Sequence, residues 1–248
     1  HLAAVATEAC RRATNGAPFL ARVAAETGLR PRIITPREEA ELAMESCAPL
    51  LERGDRRALL FDIGGGSTEI AWIRAGGAGP ELIGYASIPY GVVTLAERAG
   101  EDCYSPDGFL EVVEEVTARL AHFEALHCIR SEIARGGVRL IGTSGTVTTL
   151  AGVVMELPRY RRQFVDGVSL PAHLADAALA RLFAMGREGL SAHPCVGAER
   201  ADFVLPGCAV YAAIRRLWPV GALTVADRGL REGMLMRLMR GDGRRTRH

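Results

Sequence analysis

The chain has 248 residues, 48% hydrophobic and 24% charged, with 30 basic and 29 acidic side chains and a net charge of +1. That is enough apolar material for one large core or two small ones, and a near-zero charge excludes a global field that gathers polyanions, so an acidic ligand must be held by local arginines and amides. Every basic residue is arginine, which excludes chemistry that needs a lysine, such as a P-loop lysine or a Schiff base.

Residues 1–27 read as helix around a loop at Thr14-Asn15-Gly16-Ala17-Pro18, with Phe19, Leu20, Val23 and Ala24 at helical spacing and a stop at Gly28. The first residue is His1, which opens directly into the alanine-rich pattern, so the chain is expected to begin inside a longer sequence. Arg32-Ile33-Ile34-Thr35 predicts a short strand, and Pro36 starts a helix that continues from Glu38 to Leu51. The polar run Arg53-Gly54-Asp55-Arg56-Arg57 predicts a domain boundary. It separates a small unit (1–57) from a larger one (58–240), followed by a tail (241–248).

Ala58 to Ile63 is a buried-type strand and Thr68 to Ile73 a second, joined by a glycine run as a hairpin; Leu82 to Pro89 supplies a third. Ser105-Pro106-Asp107 starts a helix with an apolar face of Phe109, Val112, Val113, Val116, Leu120, Phe123 and Leu126. Val138 to Ile141 is a strand that runs into a glycine-containing loop and a helix from Val147. Helices near 172–186 and 206–217, a strand at 223–225 and a helix at 230–239 follow. Three strands and then alternating helix and strand predict a mixed α/β domain with helices covering a sheet.

The segment Asp62-Ile63-Gly64-Gly65-Gly66-Ser67-Thr68-Glu69 carries the most chemistry. Three glycines admit positive φ and let backbone N–H groups approach a ligand. Such amides form a concavity suited to phosphate, with the Ser67 hydroxyl as a further donor. Asp62 and Glu69 flank the turn, so their carboxylates converge on one side. That suits Mg2+, which takes one or two protein carboxylates and keeps several waters. A bare glycine triplet reads equally well as a tight turn between solvated acids; the intact octapeptide favours the phosphate site.

A second loop, Gly142-Thr143-Ser144-Gly145-Thr146, sets amides and hydroxyls at the positive end of a helix. Such turns are common, and this one gains weight beside the hairpin because two loops can grip one phosphate chain. In Arg37-Glu38-Glu39-Ala40 the early acids favour the helix dipole, which accounts for Glu38. Arg11 and Arg12 are surface-type arginines, either of which could clamp a phosphate with two hydrogen bonds. The six cysteines form no C-x-x-C pair and the six histidines show no ligand spacing, so reduced thiols in a cytoplasmic protein are expected rather than disulfides or zinc. No apolar run reaches ~18 residues, and neither a membrane nor a nucleic-acid partner is expected.

In order along the chain, these motifs resemble the exopolyphosphatase/guanosine-pentaphosphate phosphatase family of the actin/Hsp70/sugar-kinase superfold, a two-lobed, ribonuclease H-like α/β architecture. Ala9-Cys10-Arg11-Arg12-Ala13-Thr14-Asn15 is similar to the family's arginine segment, which implies phosphate contact for Arg11. Ile33 to Ala40 is similar to its glutamate-glutamate-alanine segment, which implies that Glu39 is the catalytic base. The hairpin matches without a change, implying metal and water positioning by Asp62 and Glu69 and phosphate contacts from Gly64, Gly65, Gly66 and Ser67. The second loop matches through Gly142, Thr143, Ser144, Gly145 and Thr146. Leu205-Pro206-Gly207 and Gly229-Leu230-Arg231-Glu232-Gly233 match further signatures, expected to be a helix start and a turn.

Two departures stand out. Thr35-Pro36-Arg37 replaces the family's serine-glycine step, and nothing before Asp62 matches the Asp-Leu-Gly-Ser/Thr-Asn-Ser loop that opens the family, so the first lobe is expected to be incomplete. The resemblance implies Mg2+-assisted hydrolysis of the terminal phosphoanhydride of polyphosphate or guanosine pentaphosphate, and pairing as a homodimer. Two alternatives stay open: a protein that binds such ligands without cleaving them, and a small-molecule kinase of the same superfold.

Overall fold

The computed structural model describes residues 2–76 and 79–245. Its first elements are strand β1 (Val5–Ala6), helices α1 (Glu8–Arg12) and α2 (Gly16–Thr27), and strand β2 (Arg32–Ile33), which runs parallel to β1. Residues 1–27 were expected to be helix on both sides of a loop at 14–18; β1 corrects the first part, because its pairing with Arg32 and Ile33 is a distant contact that no local periodicity encodes. Helix α2 stops at Gly28 in the left-handed conformation. Helix α3 (Pro36–Cys47) is capped by Thr35, whose hydroxyl accepts the Glu38 N–H, with proline in its first turn.

After the polar turn, strands β3 (Arg57–Ile63), β4 (Thr68–Arg74) and β5 (Glu81–Ile88) form an antiparallel meander. Helices α4 (Val92–Ala99), α5 (Pro106–His127) and α6 (Ile129–Ala134) lead to β6 (Val138–Thr143), which returns parallel to β3. Helices α7 (Gly145–Val154) and α8 (Arg162–Val165), strand β7 (Ser169–Pro171), helices α9 (Ala172–Ala192) and α10 (Ala201–Leu217), strand β8 (Ala222–Ala226) and helix α11 (Leu230–Arg245) follow. Among the described residues, β3 to β8 form one six-stranded sheet in the order β5-β4-β3-β6-β8-β7, apart from the β1–β2 pair.

The two faces of the sheet are covered by different helices. Leu59, Phe61, Ile63, Ile70, Trp72 and Leu140 pack into a large core with residues of α5, α7, α9 and α10. On the other face Ala58, Leu60, Ala71, Ile73 and Ile141 meet Ala40, Ala43, Met44 and Cys47 of α3. Leu60, Ile73 and Ile141 are at most 2% exposed, and burial of this kind contributes about 1.5–3 kcal/mol per side chain. Helix α3 thus belongs to the sheet that follows it, across the boundary expected at 53–57. Helix α11 in turn crosses α3 so closely that a side chain at Gly233 would lie 2.2 Å from the Leu42 carbonyl. Gly233 therefore serves a helix crossing, not the turn expected there.

Other differences from expectation have local causes. Helix α4 was not foreseen, being only two turns long. Helix α10 starts at Ala201, and Pro206 lies inside it instead of opening it. Leu126, expected on the buried face of α5, is 67% exposed, because in the last turn it is His127 that faces the sheet, against Gly84 of β5. Helix α11 continues to Arg245, and the rest of the expected tail lies outside the described residues. No helix among the described residues is long and apolar enough to cross a membrane.

Candidate active site

Strand register brings the acids together. Asp62 stands opposite Glu69, Glu69 opposite Ser87 on β5, and Asp62 opposite Thr143 on β6. Opposed residues share a face, and side chains alternate along a strand. All four therefore extend the α3-facing row of Leu60, Ala71 and Ile141, at the strand ends where the apolar core stops. Glu39, in the first turn of α3, comes close enough that its charge acts on both Asp62 and Glu69.

Each of these carboxyls holds its proton more tightly than usual. Burial pushes Asp62 up to about 8, reinforced by repulsion from Glu69 and Glu39, and no hydrogen bond opposes the rise. Burial also lifts Glu69 to about 7, although the Ser67 and Ser87 hydroxyls donate to its Oε1 at 2.6 and 2.9 Å. Glu39 is raised by burial as well, against the opposing hydrogen bond from Arg11. Acids perturbed together at one end of a sheet mark a place where a counter-charge or a proton transfer is accommodated.

None of Gly64, Gly65 and Gly66 adopts positive φ, so the conformational reason expected for them does not hold. Close approach is the reason that does. The Gly64 N–H donates to the Ser67 carbonyl at 2.9 Å, and the Gly64 and Gly65 carbonyls accept from Val92 and Val93 at 2.9 Å each, capping α4. A side chain at Gly91 would lie 2.3 Å from the Gly65 carbonyl. With the carbonyls turned toward α4, the N–H groups of Gly65, Gly66 and Ser67 have no backbone acceptor among the described residues. Gly64 is thus a turn residue and not a free donor, and the Ser67 hydroxyl is committed to Glu69.

The second loop divides its labour in a similar way. A side chain at Gly142 would lie 2.4 Å from the Phe61 ring, so this glycine serves packing on the opposite face. Thr143 donates to the Arg228 carbonyl at 2.6 Å, and Ser144 caps α7 by accepting the Val147 N–H. Thr146 is buried against Gly207 of α10, where a side chain would lie 2.0 Å from its Oγ1. The N–H groups of Gly145 and Thr146 remain, in the first turn, where an α-helix has no internal acceptors.

Arg11 is largely occupied. Its Nη1 donates to the Ile34 carbonyl at 2.7 Å and to Glu39 Oε2 at 2.9 Å, while Nε and Nη2 donate to Glu8 Oε2 at 3.3 and 3.0 Å. Of the five N–H donors a guanidinium offers, one stays open, so Arg11 tethers Glu39 more than it stands ready as a two-bond phosphate clamp. Arg12 is 61% exposed, with a 3.8 Å contact to Glu8. Residues at the site that escaped the sequence reading include Glu8, Ser87, Gly91 and Arg200, whose guanidinium bonds Thr149 and the Cys195 carbonyl beside Gly145. Only Gly91, a glycine just ahead of an apolar pair, carried a local signal.

Among the described residues no group of three or more His, Cys, Asp or Glu gathers as a metal cage. Asp62 and Glu69 offer two opposed carboxylates, a donor set that fits a hard cation retaining most of its waters. A cavity of about 260 Å3 opens beside Asp62, bounded also by Thr143, Gly145, Arg162, Arg228 and Arg231.

The model of the Ppx/GppA phosphatase family matches residues 1–241. The chain belongs to this family. It resembles the crystal structure of the Aquifex aeolicus Ppx/GppA family member with a TM-score of 0.80 and 29% identity, over 97% of this chain and 74% of that one. A second structure, of the Aquifex aeolicus PPX-GPPA enzyme, gives 0.77 and 30% over 94% and 74%. An exopolyphosphatase from Cytophaga hutchinsonii shares the fold with a TM-score of 0.84 at 24% identity, over 97% and 75%. The Ppx/GppA fold is that of the actin, Hsp70 and sugar-kinase group, as the motifs implied, and the family is one of phosphatases.

Proposed function

We propose that this Ppx/GppA chain hydrolyses the terminal phosphoanhydride of linear polyphosphate, of guanosine pentaphosphate, or of both. The observation that carries the reading is the meeting of Glu39, Asp62 and Glu69 with two rows of open N–H donors, Gly65–Ser67 and Gly145–Thr146. The rows suit the oxygens of a transferring phosphoryl group, whose developing charge needs fixed donors more than covalent chemistry. Glu39 accepts a proton from the attacking water; burial raises its basicity, against the opposing bond from Arg11, which is the direction that favours a general base. Arg11 holds that carboxylate in one position through the 2.9 Å bond, which keeps the water in line. Asp62 and Glu69 would hold Mg2+, which when bound supplies positive charge to the phosphate oxygens and draws both carboxyls into their ionised form.

The test is phosphate release from polyphosphate and from guanosine pentaphosphate, with Mg2+ and with a chelator. Release that requires Mg2+ supports the reading. Tight binding of either ligand without release would transfer the site to the non-cleaving alternative, and phosphoryl transfer from ATP to an added acceptor would make it a kinase.

A further inference from the structure

Glu8 has no part in the chemistry described so far, although it touches two pieces of it. It is the first residue of α1, one step after β1 ends. An acid there suits a helix dipole, but α1 has only five residues, and the Glu8 carboxylate is spent on Arg11 instead. The side chain is 17% exposed. It runs along the hairpin, where its Cγ lies 3.5 Å from the position a Cβ on Gly66 would take. Arg12 approaches the same carboxylate only to 3.8 Å.

The bonds of Arg11 fall on two sides of its guanidinium. On one side Glu8 Oε2 accepts from Nε at 3.3 Å and from Nη2 at 3.0 Å. On the other, Nη1 donates to the Ile34 carbonyl at 2.7 Å and to Glu39 Oε2 at 2.9 Å. An arginine beside one carboxylate commonly forks onto it, with two parallel bonds to its two oxygens. The Nη1–Nη2 fork is closed to Glu39, because Nη2 is turned to Glu8. Glu39 is therefore held by Oε2 alone, and its Oε1 has no hydrogen-bond donor among the described residues. A general base needs both properties: a fixed position, and an oxygen that is free to meet the water.

Resting on the reading of Glu39 as the base, we propose that Glu8 is a positioning residue: it occupies the second side of Arg11, so that Arg11 fixes Glu39 through Oε2 and leaves Oε1 to take the proton of the attacking water. Without Glu8 the guanidinium turns its Nη1–Nη2 fork onto Glu39. Both carboxylate oxygens are then bonded, and the base is held in place but blunted. Glu8 acts only through Arg11 and touches neither the water nor the phosphate.

The experiment measures phosphate release from long-chain polyphosphate with Mg2+ for the wild type, Glu8→Ala, Glu8→Gln, Glu39→Gln and Glu8→Ala/Glu39→Gln. Glu8→Ala is expected to lower kcat about tenfold, the worth of one charge-assisted bond made at the base, and to change KM by under about twofold. Glutamine can set its carbonyl oxygen where Oε2 stands, so Glu8→Gln should recover most of that loss. In the Glu39→Gln background, Glu8→Ala should cost under about twofold more, because no base is left to position. A mere fold defect would lower kcat equally in both backgrounds. If alanine does not fold, Glu8→Met fills the same space against Gly66 without an acceptor, and the same tenfold loss is expected. Additive losses, an unchanged kcat, or a glutamine variant as poor as alanine overturns the role. So does a lowered KM with kcat intact, which would make Glu8 a restraint that keeps Arg11 from phosphate. Full activity in Glu39→Gln would remove the base on which the role rests, and a wild type that releases no phosphate would remove the hydrolytic reading together with it.

Discussion

Asp62→Asn isolates the electrostatic cost built into the hairpin. In the folded chain the Asp62 carboxyl is lifted from its usual 3.8 to about 8, whereas in the unfolded chain it titrates normally. Between those limits the folded state binds the extra proton, so stability is greatest below about pH 4 and falls as pH rises toward 8, then levels off. At about 1.4 kcal/mol per pH unit the whole effect has an upper bound of roughly 6 kcal/mol. Asp62 shares its repulsion with Glu69 and Glu39 and borders an open cavity, so about 2 kcal/mol of it should appear in stability. Asparagine cannot ionise. Urea denaturation in EDTA should therefore show the variant ahead by little at about pH 5 and by about 2 kcal/mol at about pH 9. Added Mg2+ should close the gap by stabilising the wild type alone. A gap that is constant with pH, or one that shrinks as pH rises, refutes a strained Asp62.

Two further substitutions probe the base and the loop. Glu39→Gln should lower kcat by about 10²–10⁴, the usual contribution of a general base, with an unchanged circular dichroism spectrum; a loss under about threefold removes Glu39 from that role. Gly91→Ala sets a methyl group 2.3 Å from the Gly65 carbonyl. It should cost about 1–3 kcal/mol in thermal unfolding, as overpacking does, and reduce Mg2+-dependent activity as the N–H row shifts; normal activity would mean that the row is not used.

The parts of the site legible in the sequence are those whose neighbours are close along the chain. A short turn between two strands fixes register, so the opposition of Asp62 and Glu69 could be read from the octapeptide itself. The amides at the start of α7 follow equally from a strand–loop–helix step. What stayed hidden depends on contacts made by folding. Gly142 looked like a phosphate residue because its place opposite Phe61 on the neighbouring strand is not a sequence feature, and Gly207, read as part of a helix start, is explained by its contact with Thr146. Arg11 was read as a clamp on its own, since its commitment to Glu8, Ile34 and Glu39 joins three elements. The β1 pairing was masked by a strongly helical composition. The small, unforeseen α4 mattered most, because its first N–H groups turn the glycine carbonyls away and leave the donors exposed.

The seating of α3 bears on how the molecule can move. Met44 and Cys47 anchor this helix to the same strands that carry Asp62 and Glu69, and α11 is locked across it at Gly233. The attacking and charge-balancing groups therefore travel as one block. Bending elsewhere in the chain would widen or narrow the approach, altering how fast ligands arrive and depart, while leaving the alignment of the reacting groups as it was.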